Sequence, residues 1–420
     1  MLDAEPSGRL GAPQGTALYI GAVLGTGVIA LPALAVRAAG PASLLAWLGL
    51  VVLSVPLAAT FAALGARYPD SGGVSTYARR AFGDLPAAVV GWCFYFAIPV
   101  GAPAAALFAG GYVEAATGGG RAATNGVAIA VTALVTAVNA GGLRVSARAQ
   151  LAFAVVLVGL LVVSVALSLP HAHSANLHPF APHGWGAIGS AAALLVWSFA
   201  GWEAITHLAG DFRRPERDLP LATAAAVVIV GVLYLAVAFA TVVVLGPAAA
   251  TAQAPLGDLM ARGLGGSARV LAAVVAPLLT FGTMNAYFAG ASKLGAALGR
   301  DRALPGWLAH GSVAGEVPRR SLAVVSGLAM ASLVVVIVAD IDVRQLLLLT
   351  TALFVTVYAI GVLAAVRLLP LRSKAGVAAI VALVAVAALV ALSGRYLVLP
   401  AALIAVGLVR ARIRARRVPT

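Results

Sequence analysis

Hydrophobic residues along this chain come in long unbroken runs. They follow neither the three-and-four spacing of an amphipathic surface helix nor the alternation of a half-buried strand. The runs fall near 16–38, 41–66, 86–115, 123–141, 149–169, 187–209, 221–245, 268–294, 321–338, 345–366, 375–392 and 396–409. Each is bounded by charge or by Gly and Pro, as at Arg67-Tyr68-Pro69-Asp70 after the second run. About 20 apolar residues make a helix long enough to cross a bilayer, and only a helix or a closed barrel satisfies its own backbone there. The pattern therefore predicts an all-α integral membrane protein with twelve transmembrane helices.

Composition removes the soluble alternatives. The chain has 420 residues, 62% hydrophobic and 10% charged, whereas ordinary soluble domains are about 45–50% apolar and 25% charged. Twelve spans use nearly all of the apolar residues, so residues 1–420 read as a single transmembrane domain. Residues 1–13 carry Asp3, Glu5 and Arg9 ahead of the first run, which reads as a retained span and not as a cleaved leader. Cys93 is the single cysteine, which excludes an internal disulfide and a cysteine-based zinc site.

Net charge is +14, and its distribution gives it meaning. Of the 28 Lys and Arg residues, 22 fall on the termini and the loops that share their side. Only Arg37, Arg121, Arg262, Arg269, Arg344 and Arg395 fall on the other. By the positive-inside rule both termini are cytoplasmic, in the bacterial inner membrane. Cations spread over many short segments form no basic domain, so nucleic acid is excluded as a partner. The terminal cluster Arg410 to Arg417 reads as a stop-transfer flank.

Ionisable groups deep in a span are costly and call for a reason. Glu203 and His207 are such groups, four residues apart in the sixth run and so on one face of a regular helix. Two readings stay open for Glu203. It caps free backbone groups where the helix is interrupted, or it is a gate that takes and releases a proton. Around it, Trp197-Ser198-Phe199-Ala200-Gly201-Trp202 interrupts the Leu/Val texture, and Gly25-Thr26-Gly27 interrupts the first run in the same way. Gly21 and Gly25 alone would read as a helix-packing pair. Interruptions at corresponding places in two halves point instead to a transporter's binding site, where unwound backbone meets the charged groups of a small zwitterion.

Three further segments resemble a known family. Tyr68-Pro69, Gly72-Gly73, Tyr77 and Phe82-Gly83 are similar to the first cytoplasmic loop of the amino acid-polyamine-organocation (APC) transporters. Gly142-Leu143-Arg144-Val145-Ser146-Ala147-Arg148 resembles the family's short basic loop before the fifth span. Asp211-Phe212-Arg213-Arg214-Pro215-Glu216-Arg217-Asp218-Leu219-Pro220 resembles the segment after the sixth, with Arg214 where asparagine is usual. The resemblance implies a five-plus-five inverted repeat, about 14–169 and 187–367, plus two extra helices at about 375–409. It places Gly25, Thr26 and Gly27 on the first substrate-binding break, and Phe199, Ala200, Gly201 and Trp202 on the second. It makes Trp197 an aromatic that closes over substrate and Glu203 a carboxylate that gates.

Shorter matches at Leu24-Gly25-Thr26-Gly27-Val28, Ile98-Pro99-Val100-Gly101, His207-Leu208-Ala209 and Pro215-Glu216-Arg217-Asp218 resemble bacterial exporters of L-methionine and branched-chain amino acids. They imply export of methionine, leucine, isoleucine and valine. Ile98, Pro99, Ala102, Trp197, Trp202, Phe281 and Met284 are the expected apolar walls, with Glu203 the one charge facing them. A cationic substrate would need acidic or aromatic partners, and an anionic one a buried Arg. Thr280 and Thr283 are candidate sodium ligands, but proton coupling through Glu203, with His207 beside it, is the preferred reading. The expected partners are an amino acid substrate, protons, the lipid bilayer and a second copy in a homodimer. No cofactor or metal is expected: the external His171, His173, His178 and His183 read as a solvated loop. Neither a His-Glu-x-x-His pattern nor an activated nucleophile suggests an enzyme.

Overall fold

A computed structural model describes residues 10–25, 27–69, 72–142, 147–203, 206, 209–210, 212–310 and 317–415. The chain is almost wholly helical there. The first half holds α1 (Ala12–Val23), α2 (Gly27–Ala39), α3 (Ser43–Arg67), α4 (Val74–Phe82), α5 (Asp84–Thr117), α6 (Gly120–Ala140) and α7 (Ala147–Ser168). The second holds α8 (Ala187–Leu195), α9 (Pro215–Ala240), α10 (Pro255–Leu264), α11 (Ser267–Arg300), α12 (Arg319–Val338), α13 (Val343–Leu368), α14 (Lys374–Ser393) and α15 (Val398–Ala415). The one strand-like contact among the described residues pairs Leu10 with Phe212, where the Arg213 N–H donates to the Leu10 carbonyl at 2.9 Å.

Among the described residues, nine helical stretches are long and apolar enough to cross a membrane. The difference from twelve has a physical origin. Gly27–Arg67 and Lys374–Val409 are continuous stretches of 41 and 36 residues, each holding two successive helices joined by a tight turn, Gly40–Ala42 and Gly394–Leu397. The sixth apolar run is the other source, because its helical part, Ala187–Phe199, is short. Two loop helices, α4 and α10, stand outside the predicted spans, each ending at a glycine of positive φ, Gly83 and Gly265.

The outer surface is aliphatic. On α9, Val228 and Val232 are more than 60% exposed while Ala226, Val227 and Val230 on the same helix are buried. Exposed aliphatics recur on α3, α7, α11, α12 and α14, an arrangement that water would not tolerate and lipid does. This is a multi-pass membrane protein. Within it, α5 is the central post, packed on α4, α6, α11, α12 and α13, and α1 lies along α9. The Tyr112 hydroxyl of α5 donates to the Ile29 carbonyl of α2 at 2.6 Å and accepts from the Leu256 N–H of α10 at 3.2 Å. That single group ties three elements together beside the interrupted first run.

Candidate functional site

The first interruption separates α1 from α2. Leu24 closes α1 with an N–H donated to the Ile20 carbonyl, and α2 begins at Gly27. A methyl group at Gly27 would lie 2.4 Å from Ser198 Oγ, so only glycine lets the two breaks meet this closely. The second interruption is sharper. After α8 the chain tightens into a turn at Val196–Phe199, and Ala200 is extended. Gly201 has φ of +130°, a conformation open to glycine and strained for other residues.

That geometry corrects one sequence argument. Residues 201–203 are turns and not helix, so the helical four-residue spacing does not set the direction of Glu203. Its side chain is 1% exposed and folds back on its own break. The Gly201 N–H donates to both carboxylate oxygens at 3.1 Å, and the Tyr358 hydroxyl of α13 donates to Oε2 at 2.8 Å. Thr206 donates to the Glu203 carbonyl from its N–H at 3.0 Å and from its hydroxyl at 2.5 Å. The capping reading of Glu203 is thus realised in geometry.

Between the breaks lies a cavity of about 60 Å³. Residues of both breaks line it, Val23, Gly25 and Gly27 from the first and Trp197, Ser198 and Ala200 from the second. The rest of the wall is mostly apolar, with Ile98, Gly101, Ala102 and Ala105 from α5, Met284 and Phe288 from α11 and Phe354 from α13, and it also holds the hydroxyl-bearing Thr283, Tyr287 and Thr350. Trp197 stands at the junction, with a methyl group on Gly101 reaching 3.6 Å from its Nε1.

The structure thus gathers Gly25, Gly27, Ile98, Trp197 and Ala200 around one space, together with Ala102 and Met284. Other expected wall residues lie off it. Phe199 packs between Trp47 and Tyr234, with centroids 6.0 and 5.0 Å away. Trp202 is buried against Tyr19 at 5.7 Å. Pro99, Gly201, Phe281 and Glu203 do not line the cavity either. Glu203 therefore does not face the cavity, because the Gly201 N–H and the Tyr358 hydroxyl hold its carboxylate back. Thr26 and His207 lie outside the described residues.

Sequence reasoning missed Ala105, Thr350 and Phe354 of the wall, and the two tyrosines behind it. Tyr358 holds Glu203. The Tyr234 hydroxyl lies 2.7 Å from both the Val23 and Ser198 carbonyl oxygens, linking the two breaks through α9. A lone tyrosine in an apolar run was the available signal, since a buried hydroxyl needs a partner.

Comparison with known proteins bears on the whole chain. A family model described as amino acid permease matches residues 10–417. The uncharacterized amino acid permease YecA of Bacillus subtilis is 36% identical over 94% of this chain and 93% of its own length. The L-methionine/branched-chain amino acid exporter YjeH of Escherichia coli is 33% identical over 86% of each. The branched-chain amino acid permease BcaP of Bacillus subtilis is 25% identical over 54% of this chain and 53% of itself. Spanning nearly the same length as its first two relatives and built around two interrupted membrane helices, the chain belongs to the amino acid permease family of the APC superfamily.

Proposed function

We propose that this permease exports neutral, apolar amino acids, methionine, leucine, isoleucine and valine, across the inner membrane by alternating access. It does no covalent chemistry on them. The observation that carries this reading is the cavity itself: it lies between the two helix breaks, and its walls are mostly aliphatic and aromatic, with a few hydroxyls and no ionised side chain. The named exporter relative supports the substrate class and the direction. In this reading Gly25, Thr26, Gly27, Ile98, Trp197 and Ala200 contact substrate. Phe199, Gly201, Trp202 and Phe281 act from behind.

The architecture of the proposal is twelve spans in a five-plus-five repeat, 14–169 and 187–367, with extra helices at 375–409 and both termini cytoplasmic. Ion pairs support its alternation. Arg79, after the second apolar run, pairs with Asp301 after the eighth at 3.0 Å, and Arg121, after the third, pairs with Asp340 after the ninth at 2.9 Å. In each case both partners fall on loops of the same predicted side.

Proton coupling runs through Glu203. Tyr358 Oη lies 2.8 Å from Glu203 Oε2 and 3.3 Å from the Phe199 carbonyl. It donates to the ionised carboxylate. When Glu203 is protonated the hydroxyl turns, accepts a hydrogen bond from the carboxyl O–H and donates its own to the Phe199 carbonyl. Protonation thereby moves the Tyr358 hydrogen bond from the Glu203 side chain to the Phe199 carbonyl, between the wall residues Ser198 and Ala200.

The test is counterflow in proteoliposomes. Liposomes loaded with unlabelled methionine, leucine, arginine or glutamate are followed for radiolabelled methionine uptake, with and without a pH gradient. Methionine and leucine alone should stimulate uptake, and the gradient should increase it. Stimulation by arginine or glutamate would overturn the substrate class, and indifference to the gradient would overturn the coupling.

A further inference from the structure

A second cavity lies away from both breaks. It measures about 350 Å³, between the turn at Gly246–Thr251, helix α10 and the start of α11, and its charged lining is Asp258, Arg262 and Arg269. Arg269 Nε donates to Asp258 Oδ1 at 2.9 Å, so those two charges offset each other. Arg262, in the last turn of α10, has no ion-pair or hydrogen-bond partner among the described residues. One positive charge is therefore left over. A guanidinium presents five donors in a planar fork that matches the oxygens of a phosphate.

The surroundings say what carries that phosphate. Arg262, Gly266 and Arg269 are exposed, so the cavity reaches the surface. Just beyond, Val270 and Val274 are exposed on α11, four residues apart and so on one face, and Leu264 is exposed at the end of α10. They belong to the aliphatic surface that faces acyl chains. The cavity thus lies where the lipid-facing surface begins, with an unneutralised cation on one side and apolar surface on the other. A free anion uses only the cation, whereas a phospholipid uses both. Helix α10 also packs against α2 and α7, and its Leu256 N–H donates to the Tyr112 hydroxyl at 3.2 Å, so a ligand held by Arg262 braces the element that covers the start of the first half.

We propose that this cavity binds the phosphodiester headgroup of an anionic phospholipid in the leaflet opposite the termini, with Arg262 holding the phosphate and the acyl chains lying along Val270 and Val274. Asp258 keeps Arg269 occupied and limits the affinity.

The experiment titrates purified full-length protein in neutral detergent with dioleoylphosphatidylglycerol, with dioleoylphosphatidylcholine and with inorganic phosphate, and counts bound molecules by native mass spectrometry. Phosphatidylglycerol should fill one saturable site more tightly than phosphatidylcholine, whose choline cancels the charge, and equimolar inorganic phosphate should not displace it. Arg262→Gln should weaken phosphatidylglycerol about tenfold, the scale of one hydrogen bond to a charged group, and Arg262→Lys should lose less. Asp258→Asn removes the cavity's one acid and should tighten binding about threefold. Arg121→Gln, at another exposed cation of the same predicted side, should leave it unchanged. Equal losses for Arg262→Gln and Arg121→Gln would reduce the effect to diffuse surface charge and overturn the site. Unaltered affinity in Arg262→Gln, or weaker binding in Asp258→Asn, would do the same. Displacement by equimolar inorganic phosphate would leave an anion site with no use for acyl chains and overturn the headgroup assignment.

Discussion

The two breaks solve one problem in opposite ways. Each interrupts a membrane helix and leaves backbone donors and acceptors without helical partners, which lipid cannot supply. The first is short and carries no acid, and its satisfaction comes from elsewhere: the Tyr234 hydroxyl reaches the Val23 carbonyl from α9. The second carries its own partner, because Glu203 folds back onto the Gly201 N–H, and α13 completes the arrangement through Tyr358. The first break is thus held open by geometry, and the second by a group that can change its charge. In the proposed cycle the first break is a fixed receptor and the second a switch.

The largest effect should come from refilling the fixed receptor. Gly27→Leu would drive a side chain into Ser198, whose Oγ lies 2.4 Å from the first added carbon. Overpacking of this kind costs about 1–3 kcal/mol, and here it also occupies the cavity end. Methionine binding should fall by about a hundredfold in a protein that still shows a cooperative thermal transition. Retained affinity would remove the first break from the site.

Changing the switch should separate stability from coupling. Glu203→Ala leaves the Gly201 N–H buried without its acceptor and the Tyr358 hydroxyl with only the Phe199 carbonyl. At about 1–3 kcal/mol for a buried orphan, the variant should lose about 2 kcal/mol of stability. Glu203→Gln keeps a carbonyl oxygen for Gly201 and should fold, yet its counterflow should no longer respond to pH. A pH response in the glutamine variant would leave Glu203 a cap and nothing more. Tyr358→Phe comes next, with one hydrogen bond to a buried carboxylate lost and about 2 kcal/mol expected in thermal unfolding.

The sequence announced the breaks and hid their contents, for reasons that follow from particular residues. Gly25, Gly27 and Gly201 stand out in an apolar run because glycine serves interruptions there, so both breaks and the facing Ile98 were legible. So was the multi-pass character, since membrane helices must be apolar all round. What lay beyond reach was direction. Phe199 and Trp202 sit on the same interrupted segment as Trp197 and were expected to share its wall. Yet the tight turn at Val196–Phe199 and the +130° φ at Gly201 rotate them onto Trp47 and Tyr19, and helical spacing carries no information once the helix ends. The partners of Glu203 were equally hidden, because Tyr358 is 155 residues away in sequence and nothing local marks it.

Trp202 gives the smallest effect and sharpens the comparison most finely. It lies on the switching break but faces away from the cavity, buried against Tyr19 with its indole N–H lacking a partner among the described residues. Trp202→Phe removes that orphaned donor, which favours folding, and also removes ring volume, which opposes it. Each contribution is about 1–3 kcal/mol, so the melting temperature should barely move. Because no cavity wall changes, methionine affinity should stay within about twofold of wild type, the scale of a peripheral surface change. A tenfold loss of affinity with unchanged stability would place the indole in contact with substrate and make the second break a receptor as well as a switch, erasing the division of labour between the two.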